Sequence, residues 1–411
     1  MPFLNFKKIL IWLGLIILVI AAAWWLYAVL VPKLADETPG LTGPGAAGTS
    51  DGLPQAGQNA GRPAVSETPP GQLAGQPSQT PEIPATTAPT RANKIQDLIE
   101  FTSFAPTLAA DGASVQYYDQ ADNKFYKING DGTINDLSAK EFYQVENVIW
   151  SPQKNKAILE YPDGNKIIYD FSTDKQVTLP QHWQEFNFSP NGEEVVFKSM
   201  GLDPDNRWLA IMASDGSEAR SIEKIGNNAE KVIVSWSPNN QIIGMMTEGS
   251  NFDQKKIYFI GRNNENFRSL TVEGRGFLPN WSPQGDKLLY SVYSSANDLK
   301  PMLWITNAQG DDTGTDTRPL NLETWANKCV FAAAEEVYCA VPKVMPAQAG
   351  LIPALARNIN DDLYLINITS GQKTLVDDAD QYSMSNLVLA DNGNSLYFTD
   401  QKSGRMYKLA L

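Results

Sequence analysis

"WSPQGDKLLY", residues 281–290, decides the fold, because the chain returns to the same pattern elsewhere. "WSPQKNKAIL" begins at Trp150, "FSPNGEEVVF" at Phe188 and "WSPNNQIIGM" at Trp236. Read as a hairpin, "GFLPNW" (276–281) closes one strand and "KLLYSVY" (287–293) returns. Between them, Ser282-Pro283-Gln284-Gly285 puts Ser, Pro and Gly at the turn positions each favours. Trp281 closes the first strand with a large apolar surface suited to filling space between packed sheets. "PMLWITNAQG" and "TRPLNLE" then supply a third and a fourth strand, so the unit is a four-stranded antiparallel meander.

Working outward, each copy leads through the same order of strands. Trp150 leads to "KAILEY", "KIIYDFS" and "KQVTLP"; Phe188 leads to "EEVVFKS", "WLAIMASDG" and "ARSIEKI". Weaker copies start near Leu108 and Leu389, and "CVFAAAEEVYCAV" (329–341) replaces the Pro turn in a sixth unit. A four-stranded unit repeated every ~40–50 residues marks a β-propeller, here of seven blades. A β-sandwich is the alternative, and it lacks a reason for the repeat spacing. The last unit stops at Leu411 after three strands, and "KIQDLIEF" (94–101) has no partner in the first unit. We expect it to close the ring as the outer strand of the seventh blade.

The repeated "WSPQG", "FSPNG" and "WSPNN", each followed by an apolar strand, resemble the WD40-like propeller repeat of the TolB periplasmic family. The resemblance covers about three quarters of the chain and implies a protein-binding or glycan-binding scaffold outside the cytoplasm. The chain departs from the family at Lys154, which replaces the turn Gly, in the sixth unit, which lacks the Pro turn, and in having seven blades instead of six.

The chain divides into distinct segments. Residues 1–8 form a short N-terminus, and 9–31, "ILIWLGLIILVIAAAWWLYAVLV", carry no charge. At ~1.5 Å per residue, such a helix is long enough for a bilayer core of ~30 Å, whereas a cleaved signal has an apolar core of only ~7–15 residues. Lys7 and Lys8 precede the span and only Lys33 follows it closely, so the N-terminus is expected in the cytoplasm and the rest outside. Residues 32–93 are rich in Pro, Gly, Ala and Thr and too poor in large apolar side chains to offset ordering entropy. A disordered stalk is expected there, with the propeller over 94–411. The expected location is therefore a cell membrane, single-pass, with the propeller in the periplasm or at the cell surface.

Chemistry is sparse. The net charge of −13, with no Lys/Arg block, argues against a nucleic-acid partner. One histidine, His182, stands without a second imidazole to work with, and two cysteines serve 411 residues. "GTSDG" (48–52) fits a hydrolase elbow pattern but has neither the preceding strand nor the following helix that motif requires. The acidic stretches 202–207, 310–317 and 377–381 lack EF-hand spacing and read as solvated turns. No catalytic residue, cofactor or metal ligand is assigned, and the chain is not expected to be an enzyme. The alternative is an envelope enzyme acting on glycan or peptide through the central channel.

Two further expectations concern sites. Cys329 and Cys339 fall opposite each other on the arms of the sixth hairpin and are expected to form a disulfide. The segment 342–360, "PKVMPAQAGLIPALARNIN", is the longest second-to-third-strand connection, on the face away from the stalk. Met345, Leu351, Ile352 and Leu355 in it, with Trp183 on the same face, are the expected contacts to an envelope protein or glycan partner.

Overall fold

Each aromatic-Ser-Pro turn is closed by its serine. Ser151, Ser189, Ser237 and Ser282 are all buried. Each hydroxyl accepts from the backbone N–H five residues on, at 2.9–3.2 Å (Lys156, Glu194, Ile242 and Lys287). The same hydroxyl donates to a side chain within the turn: Asn155, Asn191, Asn239 or Asp286. The fourth turn residue is left-handed in every copy, with φ of 61° at Lys154, 66° at Gly192, 62° at Asn240 and 71° at Gly285. Glycine or asparagine meets that requirement readily; Lys154 meets it against its preference.

The computed structural model describes residues 95–98, 102–263, 265, 267–377 and 381–411. All lie in the unit Thr80–Leu411. The expected membrane span 9–31, the stalk 32–93 and the "GTSDG" stretch lie outside the described residues. Within the described residues no helix is long and apolar enough to cross a membrane.

Seven four-stranded antiparallel sheets follow one another along the chain. They span 103–136, 147–179, 183–224, 232–272, 275–319, 329–377 and 384–410, and we number them as blades 1 to 7. Blade 7 takes its fourth strand from Ile95–Asp97, which pairs Ile95 with Leu409, Gln96 with Lys408 and Asp97 with Tyr407. The expected closure is therefore present over Ile95–Asp97; residues 94 and 99–101 lie outside the described residues.

Cores form between neighbouring blades, as a sheet with two apolar faces demands. Ile158, Ile168 and Leu179 of blade 2 pack with Phe186, Phe188 and Val195 of blade 3. Val115, Tyr117 and Ile128 of blade 1 pack with Tyr397 and Met406 of blade 7, which completes the ring. The motif tryptophans tie blades together by hydrogen bonds as well. Trp150 Nε1 donates to the Ala105 carbonyl of blade 1 at 2.8 Å, and Trp281 Nε1 donates to Ser235 Oγ at 2.9 Å, beside blade 4.

The first strand of alternate blades carries a bulge. Register shifts occur between Phe104 and Thr107, Gln184 and Asn187, Arg275 and Leu278, and Ser385 and Val388. Each bulge contains a left-handed residue: Ala105, Glu185, Gly276 and Asn386. A bulge leaves backbone groups out of the ladder and re-aims side chains.

Candidate binding face

The Ser-Pro turns join first to second strands and define a lower face. Connections from second to third strands, and from blade to blade, lie on the opposite, upper face. Ile95–Asp97 runs antiparallel to the third strand of blade 7, so the chain joins the propeller from the lower face.

Exposed apolar surface is distributed unevenly between the faces. Ten large apolar side chains are exposed among the described residues. Seven of them, Tyr143, Leu202, Phe252, Val344, Leu351, Ile352 and Leu355, lie in upper connections. The other three, Ile134, Val177 and Leu375, sit on outermost strands, and none lies in a lower turn. Leu202 is fully exposed, and Phe252 holds the Arg275 guanidinium 4.2 Å from its ring centre.

The connection 343–360 is built around its own small core. Met345, Ala349 and Ala356 are buried together against Trp325 and Ile359. Gln348 and Gly350 donate backbone hydrogen bonds to the carbonyls of Asp298 and Leu299, at 2.7 and 2.8 Å, which fastens the segment to blade 5. A short 3-10 turn, Pro353–Ala356, follows. Leu351, Ile352 and Leu355 therefore stand about half exposed on a fixed support, at 52%, 46% and 48%. Met345 was expected among the contact residues; its thioether points inward, because the loop needs an apolar anchor to hold its shape. Trp183 is also turned inward. It begins the strand Trp183–Phe188, is half-buried, and lies with its ring centre 4.1 Å from that of Phe197. His182, exposed beside it, uses its backbone carbonyl to accept from Met200 N.

Beneath this segment lies a buried ion pair. Lys328 Nζ is 2.7 Å from both carboxylate oxygens of Asp361, and Asp361 also accepts from Met384 N at 2.5 Å. The three residues join the start of blade 6, its third strand and the start of blade 7. Burial pushes the Lys328 amine down and the Asp361 carboxyl up from their ordinary ranges, and each charge opposes the other's shift. Cys329 follows Lys328 directly. It pairs with Cys339 across the hairpin, with Cα atoms 4.1 Å apart and the sulfurs bonded.

Above the pair is a cavity of about 260 Å³ between blades 5, 6 and 7. Asn327 and Lys328, Arg357 from the 343–360 connection, Ser385 and the bulge residue Asn386, and Gln401 supply its polar lining. Leu278, Trp325, Pro353 and Ala356 supply the apolar part. No carboxylate, imidazole or thiol belongs to this lining. The site was not apparent in the sequence, since its residues are spread from 278 to 401; Asn386, a residue type that tolerates left-handed backbone, was the one local hint. A larger depression of about 360 Å³, between blades 3 and 4, mixes Lys224 with Glu223 and Glu265 and so has no single sign.

The acidic stretches act as turns where they are described. Asp203 accepts from Asp205 N, and Asp316 pairs with Arg318. No group of three His, Cys, Asp or Glu side chains is placed to hold a metal among the described residues. Residues 378–380 of the third stretch lie outside them.

No family model matches the chain, and no curated protein matches it. Solved structures do. An oligogalacturonate lyase in complex with manganese is 13% identical, with a TM-score of 0.51 over 80% of this chain and 97% of that one. The β-propeller domain of Cps50 (Swd1) from Myceliophteria thermophila is 10% identical, with a TM-score of 0.52 over 77% of this chain and 100% of that one. An oligogalacturonate lyase from Vibrio parahaemolyticus is 11% identical, with a TM-score of 0.48 over 80% and 96%. At such identities the likeness concerns the fold, which a lyase shares with the Cps50 domain and which does not by itself separate a catalyst from a binding scaffold. The chain is a seven-bladed β-propeller of four-stranded antiparallel blades.

Proposed function

We propose that this chain is a binding scaffold of the cell envelope or cell surface, of TolB-like kind, which holds a partner on its upper face. Residues 9–31 anchor it in the membrane with the N-terminus in the cytoplasm, and 32–93 act as the stalk. The observation that carries the reading is the placement of exposed apolar side chains. Seven of ten lie in connections on the face opposite the one where the chain joins the propeller, four of them within the single connection 343–360. Exposed apolar side chains grouped on one segment mark contact sites more often than ones scattered singly. The rival is an envelope enzyme acting on glycan or peptide through the central channel. Such chemistry needs an acid or base within reach of substrate. The polar lining of the cavity between blades 5, 6 and 7 consists of amides, a hydroxyl, the Arg357 guanidinium and the Lys328 amine, and that amine is engaged by the Asp361 carboxylate, which also accepts from Met384 N.

The test is to replace Leu351 and Ile352 together by serine in the full-length chain. Crosslinking in intact cells should lose the partner while the melting temperature stays nearly unchanged. Undiminished crosslinking with the double variant argues against this face as the contact.

A further inference from the structure

We infer that the cavity between blades 5, 6 and 7 receives a carboxylate from an extended segment of the partner, whose neighbouring apolar side chains lie on Leu351, Ile352 and Leu355. The inference rests on the binding-face reading above and deepens it by naming the chemistry of the partner.

The chain carries −13 overall, so an acidic ligand is repelled by most of its surface. This cavity is different. Its titratable lining is cationic, Lys328 and Arg357, and contains no acid. Lys328 is neutralised by Asp361 at 2.7 Å. Arg357 is exposed and takes part in no ion pair among the described residues, so its fork of donors is free for a planar oxyanion. Asn327, Asn386 and Gln401 add amide donors, and Ser385 adds a hydroxyl. A guanidinium with amides and no competing acceptor charge selects an anion that accepts several hydrogen bonds.

Geometry then selects a peptide over an acidic sugar. Arg357 follows the turn Pro353–Ala356, and the half-exposed Leu351, Ile352 and Leu355 belong to the same short stretch. A ligand that reaches Arg357 meets this apolar lip. Apolar side chains flanking an acid satisfy both parts, whereas the hydroxyls of a uronic acid chain that extend past the cavity meet the apolar side chains of Leu351, Ile352 and Leu355. The cavity, about 260 Å³, holds a side chain and not a folded element.

The test uses the full-length chain and fluorescein-labelled, end-capped peptides in which Leu-Leu-Glu-Leu-Leu or Leu-Leu-Gln-Leu-Leu is flanked by Gly-Ser linkers, read by fluorescence anisotropy. The Glu peptide should bind at least tenfold more tightly than the Gln peptide. Arg357→Gln should remove that preference, and Leu355→Ser should weaken both peptides alike. Failure of the Glu peptide to bind, equal binding of the two peptides, or a preference that survives Arg357→Gln overturns the inference. Arg357-dependent binding of trigalacturonate without binding of the Glu peptide also overturns it, in favour of an acidic glycan. If the peptide results fail while Leu351 and Ile352 still govern crosslinking, the carboxylate inference falls and the binding face stands; loss of both removes both.

Discussion

Lys328 and Asp361 form a buried ion pair, Nζ to both carboxylate oxygens at 2.7 Å, that ties blade 6 to the first residue of blade 7 through Met384 N. A buried pair of this kind gives little net stability over an apolar replacement, yet breaking it strands a charge. Asp361→Ala should therefore cost about 3–5 kcal/mol, and the double variant Lys328→Met/Asp361→Leu should cost clearly less. Urea unfolding of the single and double variants measures the coupling. Additive losses would show that the pair does not act as a unit.

Lys154 occupies a position that its sister turns give to Gly192 and Gly285, and its half-buried side chain donates from Nζ to Thr107 Oγ1 at 2.8 Å. Burial lowers its amine from 10.5 to about 8. Below pH 8 the amine is protonated in both states and the cost of burying it is fully present. Between about pH 8 and 10.5 the unfolded chain binds more protons, so this group makes stability rise with pH. Lys154→Gly removes both the strained backbone and the buried amine. It should stabilise the propeller by about 1 kcal/mol at pH 7, with an advantage that shrinks toward pH 10. A destabilised variant, or a pH-independent difference, would contradict this account.

The bond between Cys329 and Cys339 closes a loop of sequence separation 10 within the blade 6 hairpin. In the chain-entropy description such a loop stabilises by about 2–3 kcal/mol. Protein purified without reductant should show no titratable thiol in denaturant, and reduction should lower the melting temperature. Two thiols before reduction would count against the bond in the native compartment.

Ile95 pairs with Leu409 and packs against the blade 7 core. A chain beginning at Arg91 should melt cooperatively, and one beginning at Ser103 should melt at a markedly lower temperature, because blade 7 then loses its outer strand. Equal melting temperatures would mean that closure contributes nothing.

Much of this architecture could be read from local chemistry. The Ser-Pro turns announced themselves because a buried hydroxyl, a fixed φ and a left-handed fourth residue each constrain residue type. The cysteine pair followed from counting along a hairpin, and the closing strand followed from the three-stranded last unit. What escaped depends on long-range packing. Ala105 and Glu185 sit at bulges with left-handed backbone that nothing about alanine or glutamate foretells. Met345 and Trp183 looked like surface contacts because they lie near loop segments, whereas Met345 packs against Trp325 of the preceding connection and Trp183 lies on Phe197 of the adjacent strand in its own blade. The cavity around Arg357 draws on three blades, and no sequence window contains it.

The most direct measurement compares the two faces in the same cells. A photo-activatable residue placed at Leu355 on the upper face, and another at Thr173 in an exposed lower turn of blade 2, report which face meets a partner. The account predicts one discrete crosslinked species from Leu355 and none from Thr173. Crosslinking from Thr173 with none from Leu355 would contradict it.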